Sequence, residues 1–199
     1  MAITNGYSTL AEVKAALKII DTLDDSLLEM AVESASRLID SYTNRYFYNG
    51  GTASKVFVAQ DDFVTVIEDA QSISQVATRF KTTDTPTVWA ATDFQLEPLN
   101  GRADGIVSPY TSIRAVNNYL FPHYAGEALV TVTGVWGWAS TPVAVKQACI
   151  IQASRIFKRL DSPLGVAGFG DMGMMRVGSR LDPDVQHLID PYRSMRNFA

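Results

Sequence analysis

The stretch VTVTGVWGWASTPVAVKQACIIQASRIFKRL, residues 130–160, decides the fold, because its hydrophobic period changes once inside it. Val130 and Val132 alternate with Thr131 and Thr133 and lead through Val135 into Trp136-Gly137-Trp138. A period of two marks a strand with one covered face, and this one reads as the last strand of a sheet. After Thr141 the apolar residues Val145, Cys149, Ile156 and Leu160 follow helical spacing, while Ile150, Ile151, Ala153 and Phe157 broaden the stripe. That breadth predicts a helix over 142–160 buried on more than one side. Thr141 is the expected N-cap, with Pro142 at the first helical position, where a missing N–H costs nothing. Strand and helix therefore meet in one chain, which makes the class α+β.

Working back toward the N-terminus, Thr9 and Glu12 form a capping box ahead of Leu10, Val13, Ala16, Leu17 and Ile20, so a short first helix is expected. Thr22 and Asp25 repeat the signal, and Asp24 and Asp25 suit the positive end of a helix dipole. Leu27, Ala31, Ala35, Leu38 and Tyr42, flanked by Leu28, Ile39 and Tyr46, predict a long helix over about 24–48, ended by Asn49-Gly50-Gly51. Between the long helices, Val56, Val58, Val64, Val66, Ile73, Val76 and Phe80 lie in short β-prone runs. Phe94 and Leu96 before Asn100-Gly101, with Ile106 and Val107 after it, suggest a hairpin. The expected architecture is mainly a helical bundle with a β-strand and hairpin insertion over about 54–138.

Residues 161–181 depart from this pattern. Five glycines, Gly165, Gly168, Gly170, Gly173 and Gly178, are interspersed with Phe169, Met172, Met174, Met175 and Val177. A long loop carrying apolar side chains wants a partner. Asp182-Pro183 then opens a short helix in which Val185, Leu188, Ile189 and Tyr192 share a face, cut short by Pro191. The domain reading is one domain over 1–160, helices plus β insertion, and a flexible Gly/Met-rich C-terminal arm with a short helix over 161–199; the resemblance below makes the first a connector domain and the second a docking arm.

Composition narrows the function classes. Across 199 residues, 47% are hydrophobic and 19% charged, enough for one core with appendages. The net charge of −4 divides into −7 over residues 1–100 and +3 over 101–199, and neither half has the dense basic patch of a DNA-wrapping protein. The N-terminus lacks a signal-peptide pattern and no apolar run nears the roughly 20 residues that span a bilayer, so a chain made in the cytoplasm, with no membrane partner, is expected. Cys149 lies in the apolar helical run and reads as a small buried thiol.

Catalytic patterns are absent. Gly165 to Gly170 follows a helix and lacks the Lys-Ser/Thr pair of a phosphate loop. His123 and His187 belong to no metal-ligating cluster, and no Gly-x-Ser-x-Gly elbow occurs. Asp21, Asp24, Asp25, Asp61 and Asp62 read as caps and turns. Arg155, Lys158 and Arg159 complement a helix C-terminus, and Trp136 and Trp138 read as packing residues. No catalytic residue, metal or cofactor is expected.

The order of elements resembles the tailed-phage head-tail connector (adaptor) family, the ring below the portal. The resemblance rests on the helix start at Tyr7-Ser8-Thr9-Leu10-Ala11-Glu12-Val13-Lys14 and on Ile39-Asp40-Ser41-Tyr42-Thr43-Asn44-Arg45 within the helix end at Ser34 to Tyr48. It continues through Val132 to Trp138 running into Pro142, and through Leu188-Ile189-Asp190-Pro191-Tyr192-Arg193. It implies a non-enzymatic virion structural protein of the neck, arranged as an oligomeric ring, a dodecamer, with neighbouring copies, the portal and the next neck or tail protein as partners and double-stranded DNA passing through the lumen without specific recognition. Another neck ring, a stopper or tail terminator, is the alternative within this class, and a small nucleic-acid-binding regulator the alternative outside it. The expected portal-binding set is Phe169, Met172, Met174, Met175, Val185, Leu188, Ile189 and Tyr192, with Arg176, Arg180 and Arg193 pairing to acidic groups. The competing reading has the C-terminal segment folding back onto its own bundle.

Overall fold

The computed structural model describes residues 3–100, 102–103, 106–124, 126–160, 166–168, 174–176 and 181–194. The chain divides into two units, Met1–Tyr48 with Thr141–Ala199, and Asn49–Ser140.

The first unit is helical. α1 (Leu10–Leu17) starts at the expected box: the Thr9 hydroxyl accepts from the Glu12 N–H and the Glu12 carboxylate accepts from the Thr9 N–H. α1 ends at Lys18 in the left-handed region, its N–H bonded to the carbonyls of Lys14 and Ala15. α2 (Asp25–Thr43) departs from expectation at both ends. Its N-cap Asp24 makes no side-chain cap bond, and the Asp25 carboxylate instead holds Lys14. Its C-terminus is Asn44, left-handed at φ 52°, a conformation a short polar side chain tolerates, so the helix stops before Tyr48. α3 (Val143–Leu160) packs against α2, with Val145, Ala148, Cys149, Gln152 and Ala153 buried. Thr141 does not cap it: the hydroxyl donates to the Phe47 carbonyl, while the Pro142 carbonyl accepts the bond from Lys146 N–H. α4 (Pro183–Ile189) runs on into a 3-10 turn, Asp190–Tyr192.

Cys149 is fully buried, as expected, with its sulfur 3.3 Å from Ser8 Oγ, and burial pushes the thiol above its ordinary range. Beside it, the buried Tyr7 ring sits edge-on to Phe47. The Tyr7 hydroxyl donates to the Asp40 carboxylate and accepts from the Phe47 N–H. Burial first, and the bond to Asp40 second, push the Tyr7 phenol well above its usual value. A group whose pKa is raised by folding contributes stability in full below its unfolded value, about 10, and loses it as pH rises further. Tyr7→Phe is therefore expected to flatten the alkaline limb of stability against pH. At neutral pH it should cost about 1–3 kcal/mol, read from urea midpoints, because both hydroxyl bonds go together.

The second unit is a sheet. β1 (Asn49–Phe57), β2 (Val64–Thr78), β3 (Thr87–Val88), β4 (Phe94–Glu97), β7 (Tyr110–Ala115) and β8 (Val130–Gly137) form six antiparallel strands in the order β1-β8-β2-β7-β4, with β3 on the far end of β2. β5 (Arg102–Ala103) and β6 (Ile106–Val107) pair separately. β8 is last in the chain but lies inside the sheet, between β1 and β2. Its alternation is the expected one: Val130, Val132 and Trp136 are buried, while Thr131, Thr133 and Val135 are less so. Asp61 Oδ1 accepts from the N–H groups of Phe63 and Val64, the turn that opens β2. β2 pairs with β7 through its first half and with β8 through its second, with register shifts at Ala70/Ser72 and Ile73/Gln75.

Three expectations fail here. The fold is not mainly a helical bundle: the described residues hold four α-helices and a six-stranded antiparallel sheet. The reason is that the middle of the chain buries a core of its own, around Ile67, Val76, Trp89, Ile113, Phe121, Val130, Val132 and Trp136. Strands that close their own core make a unit and not a decoration on helices. Asn49-Gly50-Gly51, expected to break a helix, begins β1, and Gly51 at φ 74° accommodates a register shift there. The hairpin expected around Asn100-Gly101 also pairs differently, with Leu96 opposite Ile113 of β7 and Ala103 opposite Ile106.

Candidate docking surface at the C-terminal arm

The arm, residues 161–180, connects Leu160, the end of α3, to Leu181, ahead of α4. Its two described pieces are short strands, β9 (Val166–Gly168) and β10 (Met174–Arg176), paired antiparallel with Met174 opposite Gly168 and Arg176 opposite Val166. The segment Gly165 to Gly170, whose glycines invite comparison with a phosphate loop, thus supplies a strand at Val166–Gly168. Phe169, Met172 and Arg180 lie outside the described residues, and Met174, Met175 and Arg176 are described as backbone of β10.

The return point is fixed by Asp182. Its carboxylate, almost fully buried, forms an ion pair with Arg155 of α3 and accepts from the Asp184 N–H, which caps α4. Its backbone N–H donates to Gln152 Oε1 at 3.3 Å, and Gln186 Nε2 donates to the Leu181 carbonyl at 2.9 Å. Sequence reasoning assigned Arg155 to the helix dipole and missed this partner, since nothing local links residues 27 positions apart. Arg155→Ala strips a buried carboxylate of its cation and is expected to cost about 1–3 kcal/mol, with Asp182→Asn costing less because the amide oxygen keeps the cap. Urea unfolding of the two variants checks the order.

Beyond Asp182 the chain is held by its own helices. Val185 and Ile189 are fully buried, α4 packs on α3, and Tyr192 sits edge-on to Phe47 at 5.7 Å between centroids. Tyr42 donates to Asp190 at 2.6 Å, Ser194 N–H to the Thr43 carbonyl at 2.8 Å, and Arg45 to the Tyr192 carbonyl. Leu188 is half-buried, and Arg193 is exposed with its guanidinium over the Tyr42 ring. Of the eleven residues expected at the portal, Val185, Ile189 and Tyr192 are thus taken up inside this chain, while Leu188 and Arg193 keep an accessible side.

The remaining polar candidates do not converge. His123 and His187 are exposed, Lys158 and Arg159 are exposed at the end of α3, and no group of three metal-ligating side chains occurs among the described residues. Trp136 and Trp138 are both buried, the first donating to the Ala53 carbonyl and the second to Asp69. No helix among the described residues is long and apolar enough to cross a membrane.

Comparison with solved structures gives a neck of an empty GTA particle, computed with C6 symmetry: TM-score 0.57 at 17% identity, covering 99% of this chain and 94% of the other. At that identity the likeness establishes a shared fold. No curated protein matches. Residues 7–83, from the start of α1 through β2, match the family model of phage gp6-like head-tail connector proteins. Over those residues, about two fifths of the chain, it is similar to the phage gp6-like head-tail connector proteins.

Proposed function

We propose that copies of this chain form a dodecameric ring that docks on the portal through the arm, meets the next neck or tail protein on its other side, and lets double-stranded DNA pass through its lumen. The observation that carries this reading is the base of the arm. Residues 161–180 connect Leu160 to Leu181, and the chain on either side of them is tied together by Asp182 with Arg155 and by the buried Val185 and Ile189. A segment whose two ends are tied together in this way is suited to serve a partner.

In this proposal Phe169, Met172, Met174 and Met175 supply the apolar contact, since methionine adapts to an irregular groove. Arg176, Arg180 and Arg193 pair with acidic groups on the portal, and Leu188 extends the contact at the foot of the arm. Val185, Ile189 and Tyr192 act indirectly, by anchoring that foot. The GTA neck computed with C6 symmetry supports a ring, because sixfold symmetry repeats each chain in multiples of six, and twelve is one. The mild net charge of −4 suits a channel wall that must not retain DNA.

The test is binding of purified portal to the chain with residues 164–178 replaced by a short Gly/Ser link. Loss of at least tenfold in affinity, with an unchanged melt, is expected. Undiminished binding by the excised chain overturns the arm as the portal contact.

A further inference from the structure

We propose that the outer face of α2 is the surface on which a second copy of this chain docks, receiving the basic end of that copy's α3. The inference rests on the ring reading above and names the contact that builds the ring.

α2 buries one face, Leu28, Ala31, Val32, Ala35 and Ile39, in its own unit. The flank of that face is also apolar: Leu27, Met30 and Leu38 are exposed, with Ser34 between them, and Glu33 and Arg37 lie further round, away from the buried face. From Leu27 to Leu38 this stripe runs roughly 16 Å along the helix. It continues into the turn before α2, where Ile20 is 97% and Leu23 87% exposed. A helix whose apolar stripe is wider than the part its own unit covers has a second partner to find, and a contiguous exposed patch of this kind marks an interaction site.

The choice of occupant comes from charge. The exposed apolar pair Ile20 and Leu23 stands beside Asp21 and Asp24. The end of α3 offers the converse, exposed Leu160 next to exposed Lys158 and Arg159. A closed ring is built by heterologous contacts, in which each copy presents two different patches and each patch meets the other one on a neighbour. One chain that carries an acid-flanked apolar patch and a base-flanked apolar patch has both halves of such a contact. Complementary charge also fixes its register and disfavours the like-with-like pairing of two α2 faces.

Cysteine cross-linking in assembled particles tests this. The natural Cys149 is fully buried, so introduced thiols report alone. A chain with both Leu23→Cys and Leu160→Cys, treated with a short bismaleimide, is expected to give a ladder of covalent multimers, and each single variant to remain a monomer. Particles that carry ring density at the neck and give no ladder overturn the pairing, as do dimers from Leu23→Cys alone. Neck density without a ring in unmodified particles instead overturns the ring reading. As a second measurement, Leu27→Glu with Met30→Glu is expected to leave the melting temperature of the isolated chain unchanged and to abolish incorporation into particles. A lowered melting temperature means that this chain covers the stripe itself, which also overturns the proposal.

Discussion

A chain ending at Leu181 is expected not to fold, whereas a chain lacking only residues 164–178 melts as the full chain does. The truncation removes Val185, Ile189 and Tyr192 from a core they share with α3 and Phe47, and removes the partner of Arg155. At about 1.5–3 kcal/mol for each buried apolar side chain, the loss is roughly 5–9 kcal/mol, an upper estimate because an unfolded chain also hides some surface. That is comparable with the whole stability of an ordinary domain, about 5–15 kcal/mol. The internal excision leaves Asp182, α4 and the Tyr42 to Asp190 bond in place. Circular dichroism melts of the two chains check the contrast. A normal melt from the truncated chain means that α4 is not needed for the fold.

Gly134→Val is expected to disrupt the sheet. Gly134 lies in β8 where β2 shifts register between Ile73 and Gln75. A Cβ there would run into the Ser72 carbonyl oxygen and come within 2.8 Å of Ile73 Cδ1. The side chain could bend away, but the backbone oxygen belongs to a strand bonded on both sides. Overpacking of this kind costs typically about 1–3 kcal/mol, and a backbone clash at a central strand puts Gly134→Val at or above the upper end. Gly51→Ala is the useful contrast: no atom lies within 4 Å of its Cβ, and the cost comes only from its positive φ. Chemical denaturation of both variants separates steric from conformational cost.

Local signals were legible in the sequence wherever the cause was local. The Thr9 and Glu12 box, the Asp61 turn, the buried Cys149, and the change of period between Trp138 and Val145 all depend on neighbours a few residues away. Pairings across long separations were not legible. β8 was recognisable as a strand from Val130 and Val132, but its place between β1 and β2 depends on residues 52 to 88 positions earlier. The balance between helices and sheet was misjudged for the same reason, since Ile67, Trp89 and Phe121 look like isolated apolar residues until the strands bring them together. At the arm, composition marked residues 161–180 as unusual. The reversal through β9 and β10 and the Asp182 clasp were hidden, because three-residue strands carry no periodicity and an ion pair between Arg155 and Asp182 leaves no local pattern. Of the face expected to be shared by Val185, Leu188, Ile189 and Tyr192, the structure buries Val185, Ile189 and Tyr192 within the same chain and leaves Leu188 half-buried.

The central claim, that this chain joins head to tail, is tested most directly by deleting its gene from the phage or phage-like genome that encodes it and examining the lysate by electron microscopy. Packaged heads beside unattached tails, restored to joined particles when the chain is supplied in trans, are the predicted result. Normal joined particles in the absence of the chain would contradict it.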